Sequence, residues 1–205
     1  MYVDRLEVDA ALGSGPSVEA ALLRVGELAR SAVGGEGASL LRSYGRPDHY
    51  TLLSWWAERD DALAFGAAGA LAGLARELRA GGLGEPAAHL GYEVPIVEGA
   101  ESQAGCLQLA DWELSSIGKA AEYEASRREL FALQLKHNPG FAWAQLLRSG
   151  GTPTRFCMVI AFASREAAQG GGRAPEVGAF VGQHPASKYA NNPPAIEFHA
   201  VLPPA

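Results

Sequence analysis

The segment LLRSYGRPDHYTLLSWWAERDDALAF, residues 40 to 65, returns in altered form as LLRSGGTPTRFCMVIAFASREAAQG, residues 146 to 170. An offset of 106 superposes Leu40, Leu41, Arg42, Ser43, Gly45, Pro47, Ala57, Arg59 and Ala62 on Leu146, Leu147, Arg148, Ser149, Gly151, Pro153, Ala163, Arg165 and Ala168, nine identities in 23 ungapped positions. Composition alone would supply about two such matches, so the chain is read as a duplication. Similar stretches carry similar local preferences, and any fold proposed for one half must serve the other. The same offset lays RLEVDA (5 to 10) on DWELSS (111 to 116), and a slightly larger one lays YEVP (92 to 95) on AVLP (200 to 203).

Each half reads strand, helix, strand, strand, helix, strand. In the first, YVDRLEVD alternates with period two, and SVEAALLRVGELARSAV sets Val18, Leu22, Val25 and Leu28 at helical spacing. ASLLRSY and HYTLLSWWA flank a G-R-P-D turn, DDALAFGAAGALAGLARELRAG reads as one Ala-rich helix ended by Gly-Gly, and HLGYEVPIV closes the unit. The second half follows with CLQLADWELS, the helix AAEYEASRRELFALQLKH, strands AWAQLLRS and RFCMVIAFA, an interrupted helical region from 164 to 190, and IEFHAVL. This order is the split β-α-β of a ferredoxin-like unit. Residues 1–97 and 106–205 are expected to be the two repeats, with EGAESQAG, 98–105, as the linker.

A four-stranded sheet with both helices on one face leaves its other face bare. HYTLLSWW and RFCMVIAF are apolar on both alternating sets, so both faces of these strands need burial. The expected fold class is α+β, with two tandem ferredoxin-like βαββαβ repeats forming an intramolecular pseudo-dimeric α/β barrel.

Seventeen basic residues against 23 acidic ones, with no basic run, exclude the electrostatic footprint of a nucleic-acid partner. Cys106 and Cys157 form neither a C-x-x-C knuckle nor a disulfide framework, which fits a reducing cytoplasm. Charges at Asp4, Arg5, Glu7 and Asp9 do not suit a signal peptide, and no apolar run reaches the length of a membrane span. No dinucleotide fingerprint, P-loop or nucleophile elbow occurs, and the five histidines lack ligand spacing, so neither cofactor nor metal is expected.

At PGF (139 to 141), the two LLRS segments, Trp56 and the A-x-R-[DE]-x-A that follows it, the chain resembles the dimeric α/β-barrel superfamily, in particular its antibiotic-biosynthesis-monooxygenase-like group. The resemblance spans both halves. It implies cofactor-independent oxidation of aromatic polyketides, and it also touches haem-degrading proteins. The histidine that many single-domain members carry beyond the strand-three tryptophan is replaced here by Phe65 and Gly66, and by Gly171 and Gly172 in the second half, which argues against haem degradation.

For such chemistry a protein supplies a dry aromatic cavity, a general base and donors to a developing anion. Trp56, the family's strand-three tryptophan, and Tyr50 share one face of their strand, while His49 and Trp55 share the other, so either pair could wall a pocket or simply pack. Trp112 and Trp143 offer an aromatic wall in the second half, with core packing as the alternative. Arg42 and Arg148 recur near the end of the second strand, as anchors for an acidic group, as partners in structural ion pairs, or exposed. GQHPASKYANNPP, 182 to 194, collects His184, Lys188, Tyr189, Asn191 and Asn192 in a stretch without a first-half counterpart. With G-G-G at 170 to 172 it reads as a lid over a pocket or as a solvated loop.

The resulting expectation is a monooxygenase acting on an anthrone or phenol with O2, without prosthetic group. His49 or His184 is the proton acceptor, and Arg42 or Tyr189 the donor to the anion. Tyr50, Trp55, Trp56, Trp112, Trp143 and Arg148 are the candidate substrate contacts. A polyketide cyclase or isomerase of the same fold, and a non-catalytic ligand-binding or partner protein, are the alternatives. The expected partners are a small aromatic substrate and oxygen, not nucleic acid or membrane, and association of the fused chain into a homodimer is left open.

Overall fold

The computed structural model describes residues 1–99, 104–170 and 174–203. The chain forms two compact units, one from Met1–Glu93 with the C-terminal residues from Val201, the other from Val94–Ala200. In the first, β1 (Tyr2–Ala10), α1 (Gly15–Ser31), β2 (Gly35–Ser43), β3 (His49–Trp56), α2 (Arg59–Ala67), α3 (Ala70–Ala80) and β4 (Gly84–Gly99) follow one another. The strands pair antiparallel in the order β4-β1-β3-β2. In the second, β5 (Cys106–Glu113), a 3-10 turn, α4 (Ala120–His137), β6 (Phe141–Ser149), β7 (Arg155–Phe162), α5 (Arg165–Gly170), α6 (Pro175–Gln183), α7 (Ala186–Tyr189) and β8 (Ala195–Leu202) give the order β8-β5-β7-β6. The protein is α+β, built of two ferredoxin-like βαββαβ repeats. Of the expected linker, Glu98 and Gly99 end β4, and residues 100–103 lie outside the described residues.

The duplication is reproduced down to single hydrogen bonds. The register slip between Gly35 and Gly37 recurs between Phe141 and Trp143. Ser43 Oγ accepts from the backbone N–H groups of Gly45 and Arg46, and Ser149 Oγ accepts likewise from Gly151 and Thr152. His49 N donates to Arg46 O as Arg155 N donates to Thr152 O. The repeated LLRS is thus explained by two buried leucines and a serine that closes the hairpin turn.

The first strands depart from the expected alignment. Val8 faces Tyr50 and Trp112 faces Phe156; since Tyr50 and Phe156 are 106 apart, Val8 matches Trp112 at an offset of 104. Tyr2 pairs with Glu93 and Cys106 with Ala200, which makes the last-strand offset 107. An even slip keeps the same side chains on the same face, so the pattern of β1 survives the change, whereas an odd one exchanges the faces.

Two helical expectations change as well. On α1 the buried stripe is Val18, Leu22, Val25 and Ala29, while Leu28 is exposed, because 100° per residue returns position 29, not 28, to the sheet. The single Ala-rich helix is two, divided at Gly69, whose φ of 91° caps α3 in a left-handed conformation that favours glycine.

In the first repeat α1 and α3 pack Val18, Leu22, Val25, Leu74 and Leu78 on Leu6, Val8, Leu40, Tyr50 and Leu52 of the sheet. Each fully buried aliphatic side chain contributes about 1.5–3 kcal/mol. The matching cluster of the second repeat is aromatic, with Trp112, Tyr123, Phe131, Phe141, Phe156, Phe162 and Tyr189. β3 is buried along its whole length, and β7 from Phe156 to Phe162, so both faces of each are out of water as their sequences require. Among the described residues no helix is long and apolar enough to cross a membrane.

Candidate functional site

Polar side chains gather in each repeat. In the first, Asp9 at the end of β1 lies opposite His49 at the start of β3, and His49 Nδ1 is 2.7 Å from Asp9 Oδ1. An ionised carboxylate can only accept, so His49 Nδ1 is the donor in this pair. His49 is 2% exposed, and neither Nε2 nor the Thr51 hydroxyl two residues along the same face has a hydrogen-bond partner among the described residues. The second repeat does not copy this pair. There Glu113 faces Arg155 and accepts a hydrogen bond from the Thr154 hydroxyl.

The second cluster lies between α4 and the sheet of the second repeat. Trp112 on β5, Tyr123 on α4, Phe156 on β7 and Tyr189 on α7 pack in one group, with the Tyr123 ring centroid 5.2–5.4 Å from those of the other three. The guanidinium carbon of Arg127, one helical turn beyond Tyr123, lies 5.5, 5.0 and 5.7 Å from the Trp112, Tyr123 and Tyr189 rings. Arg127 Nε donates to Ser126 Oγ at 3.3 Å. Burial pushes the Tyr123 phenol well above its ordinary range and lowers the Arg127 guanidinium from its own, since each charged form loses its water.

The segment 182–194 supplies the outer part of this cluster. His184 caps α6 and stacks on Phe180 at 4.3 Å, and its Nδ1 is hydrogen-bonded to the Tyr189 hydroxyl at 2.8 Å. Tyr189 O accepts from both the backbone N–H and the hydroxyl of Ser115. Lys119 Nζ donates to Lys188 O, and Lys188 Nζ lies 2.7 Å from Glu122, a hydrogen bond that raises the lysine pKa and lowers that of the glutamate. Tyr189 is buried while Ser187 and Lys188 are exposed, so this stretch is neither a free loop nor a plain helix. Of the G-G-G run, residues 171 and 172 lie outside the described residues.

Of the residues singled out in the sequence, Trp112, His184 and Tyr189 come together here. Tyr50 and Trp56 face the helices of the first repeat, Trp56 in a group with Tyr2, Ala29, Ala62 and Phe65. His49 and Trp55 are on the opposite face of β3, both buried. Arg42 is exposed at the end of β2, Arg148 lies 3.4 Å from Glu124, and Trp143 is half-buried on β6. Sequence reasoning passed over Asp9, Tyr123 and Arg127. Tyr123, Arg127, Leu130, Phe131 and Gln134 form the buried stripe of α4, and an arginine inside such a stripe was the available signal.

A further charged contact carries a pH dependence. His89 Nε2 on β4 lies 3.6 Å from Asp4 Oδ1, and the carboxylate raises the histidine pKa against the opposing pull of burial. A raised folded-state value makes this contribution complete below the unfolded pKa of about 6.5 and removes it as pH rises through the folded value. Asp4→Asn is therefore expected to lower the thermal midpoint at about pH 5.5 and to do so much less at about pH 8.5. Equal losses at both values would contradict the pairing.

No family model matches the sequence, and no curated protein matches it either. Solved structures do match. A candidate monooxygenase of Fusobacterium nucleatum superposes with a TM-score of 0.79 at 9% identity, over 98% of this chain and 92% of that one. An anthrone oxidase-like protein gives 0.70 at 13% identity, over 98% and 92%. A major regulator of staphylococcal pathogenesis gives 0.62 at 12% identity, over 99% and 100%. Likeness at 9–13% identity shows shared architecture. What these proteins have in common with this chain is its fold.

Proposed function

We propose that the protein is a cofactor-independent monooxygenase that oxidises an anthrone or phenol of polyketide type with molecular oxygen in natural-product biosynthesis, using the aromatic cluster of the second repeat. The observation that carries the reading is the His184–Tyr189 hydrogen bond at the edge of that cluster. A histidine bonded to a buried phenol is a proton path that ends among rings suited to a flat substrate. The names of two structural neighbours, a candidate monooxygenase and an anthrone oxidase-like protein, point the same way.

In this reading Trp112, Tyr123 and Phe156 flank the substrate. Its acidic proton passes to Tyr189 Oη as Tyr189 gives its own to His184 Nδ1, and the substrate anion then transfers an electron to O2. Over the whole reaction a ring CH2 and O2 become C=O and water, so one oxygen atom enters the product and the other leaves with both hydrogens. His49 is the rival base, held by Asp9 in the first repeat.

Oxygen consumption by purified, metal-free protein with a reduced anthrone tests the proposal. The expected result is uptake well above buffer, lost in His184→Gln and retained in His49→Gln. Uptake equal to buffer over a panel of anthrones and naphthols would end the oxygenase reading. Turnover of the same panel without oxygen would replace it with cyclisation or isomerisation.

A further inference from the structure

Arg127 is a cation with almost no access to water, 4% exposed in the middle of the sheet-facing side of α4. Among the described residues it has no carboxylate partner, and the titratable groups acting on it are the phenols Tyr123 and Tyr189. Three aromatic faces at 5.0–5.7 Å offset part of the cost of its desolvation but accept no directed hydrogen bond of full strength. Two further polar groups of the same cluster, Trp112 Nε1–H and the Tyr123 hydroxyl, are buried without a hydrogen-bond partner among the described residues. Guanidinium and indole can only donate, and the phenol donates readily; Ser126 Oγ accepts from Arg127 Nε alone, and nothing among the described residues accepts from Trp112 or Tyr123.

The fold does not demand this arrangement. In the first repeat the matching helix face is aliphatic, with Val18, Leu22 and Val25, and the sheet positions that match Trp112 and Phe156 are Val8 and Tyr50. A buried cation on a helix face that is aliphatic in the twin repeat, together with the unanswered Trp112 and Tyr123 donors, suits a negative charge that arrives from outside.

We infer that Arg127, with Trp112 Nε1–H and the Tyr123 hydroxyl, forms an oxyanion site in the second repeat that binds an aromatic ligand through its ionised phenolic oxygen. The choice of a phenol rests on the function proposed above; the site itself rests on the donor set. The role is positioning and ionisation of the ligand, which fixes its charge before any reaction with oxygen. Entry requires α7 to lift, and α7 is a single turn held by Ser115, Lys119 and the Lys188–Glu122 pair.

4-Nitrophenol tests this directly, because its anion is yellow and it does not react with oxygen. Titrated with the full chain, it is expected to bind saturably and to ionise about tenfold or more readily than in buffer, a downward shift of at least about one pH unit. Arg127→Met should abolish that shift while melting no lower than the wild type, since an uncompensated buried charge is removed. Arg127→Lys should keep part of it, as a point charge without the planar fork. Absence of saturable binding by the folded wild type, or an equal shift in Arg127→Met, would overturn the inference. Ionisation of nitrophenol without anthrone oxidation would remove only the oxygenase proposal. Oxidation of anthrone at the full rate by Arg127→Met would remove only the oxyanion site.

Discussion

Replacing Trp56 by alanine is expected to lower the unfolding free energy by about 3–5 kcal/mol, read from urea denaturation at neutral pH. The indole is 0% exposed and packs against Tyr2, Ala29, Ala62 and Phe65, with its ring 5.0 Å from that of Phe65. Truncation removes the largest side chain of this group and leaves a cavity that the sheet on one side and the helix on the other cannot close. Trp56→Phe should cost much less, because a ring still meets Phe65 and an indole N–H that has no hydrogen-bond partner among the described residues is deleted. The pair of variants separates the two roles the sequence left open for this tryptophan. A wild-type midpoint for Trp56→Ala would mean that the indole borders open space and walls a pocket.

Tyr189→Phe is expected to reduce anthrone-dependent oxygen uptake by about 10²–10⁴-fold, the range associated with loss of a positioned proton donor. The fold should barely respond. The phenyl ring keeps its contacts with Tyr123 and Arg127, and losing the hydroxyl gives up one hydrogen bond to His184, about 1 kcal/mol. Tyr189→Ala lacks this selectivity, since it also empties a fully buried position of the aromatic cluster. Uptake by Tyr189→Phe at the wild-type rate would leave His184 without a proton path and remove the proposed mechanism.

The candidate site was half legible. Trp112, His184 and Tyr189 stood out because tryptophan in a strand and a polar cluster without a counterpart in the other half are local features. Arg127 did not, since its charge alone reads as exposure, and only the phase of α4 turns it inward beside Tyr123. Asp9 was equally hidden: it meets His49 through the β1–β3 register, 40 residues away in sequence. The recurrent arginines drew attention for a reason that lies elsewhere, in the serine that follows each of them and closes its hairpin.

The sequence by itself determined the duplication, the order of strands and helices, and the need to bury both faces of β3 and β7, because these follow from period, turn residues and short-range preference. The tertiary structure alone decided the offsets of 104 and 107 in the outer parts of the repeat, the division of the Ala-rich helix at Gly69, and the meeting of Trp112, Arg127, His184 and Tyr189. Register and side-chain encounters are fixed by hydrogen bonds and packing between residues far apart in the chain, and two repeats of one pattern can therefore share a backbone and enclose different chemistry.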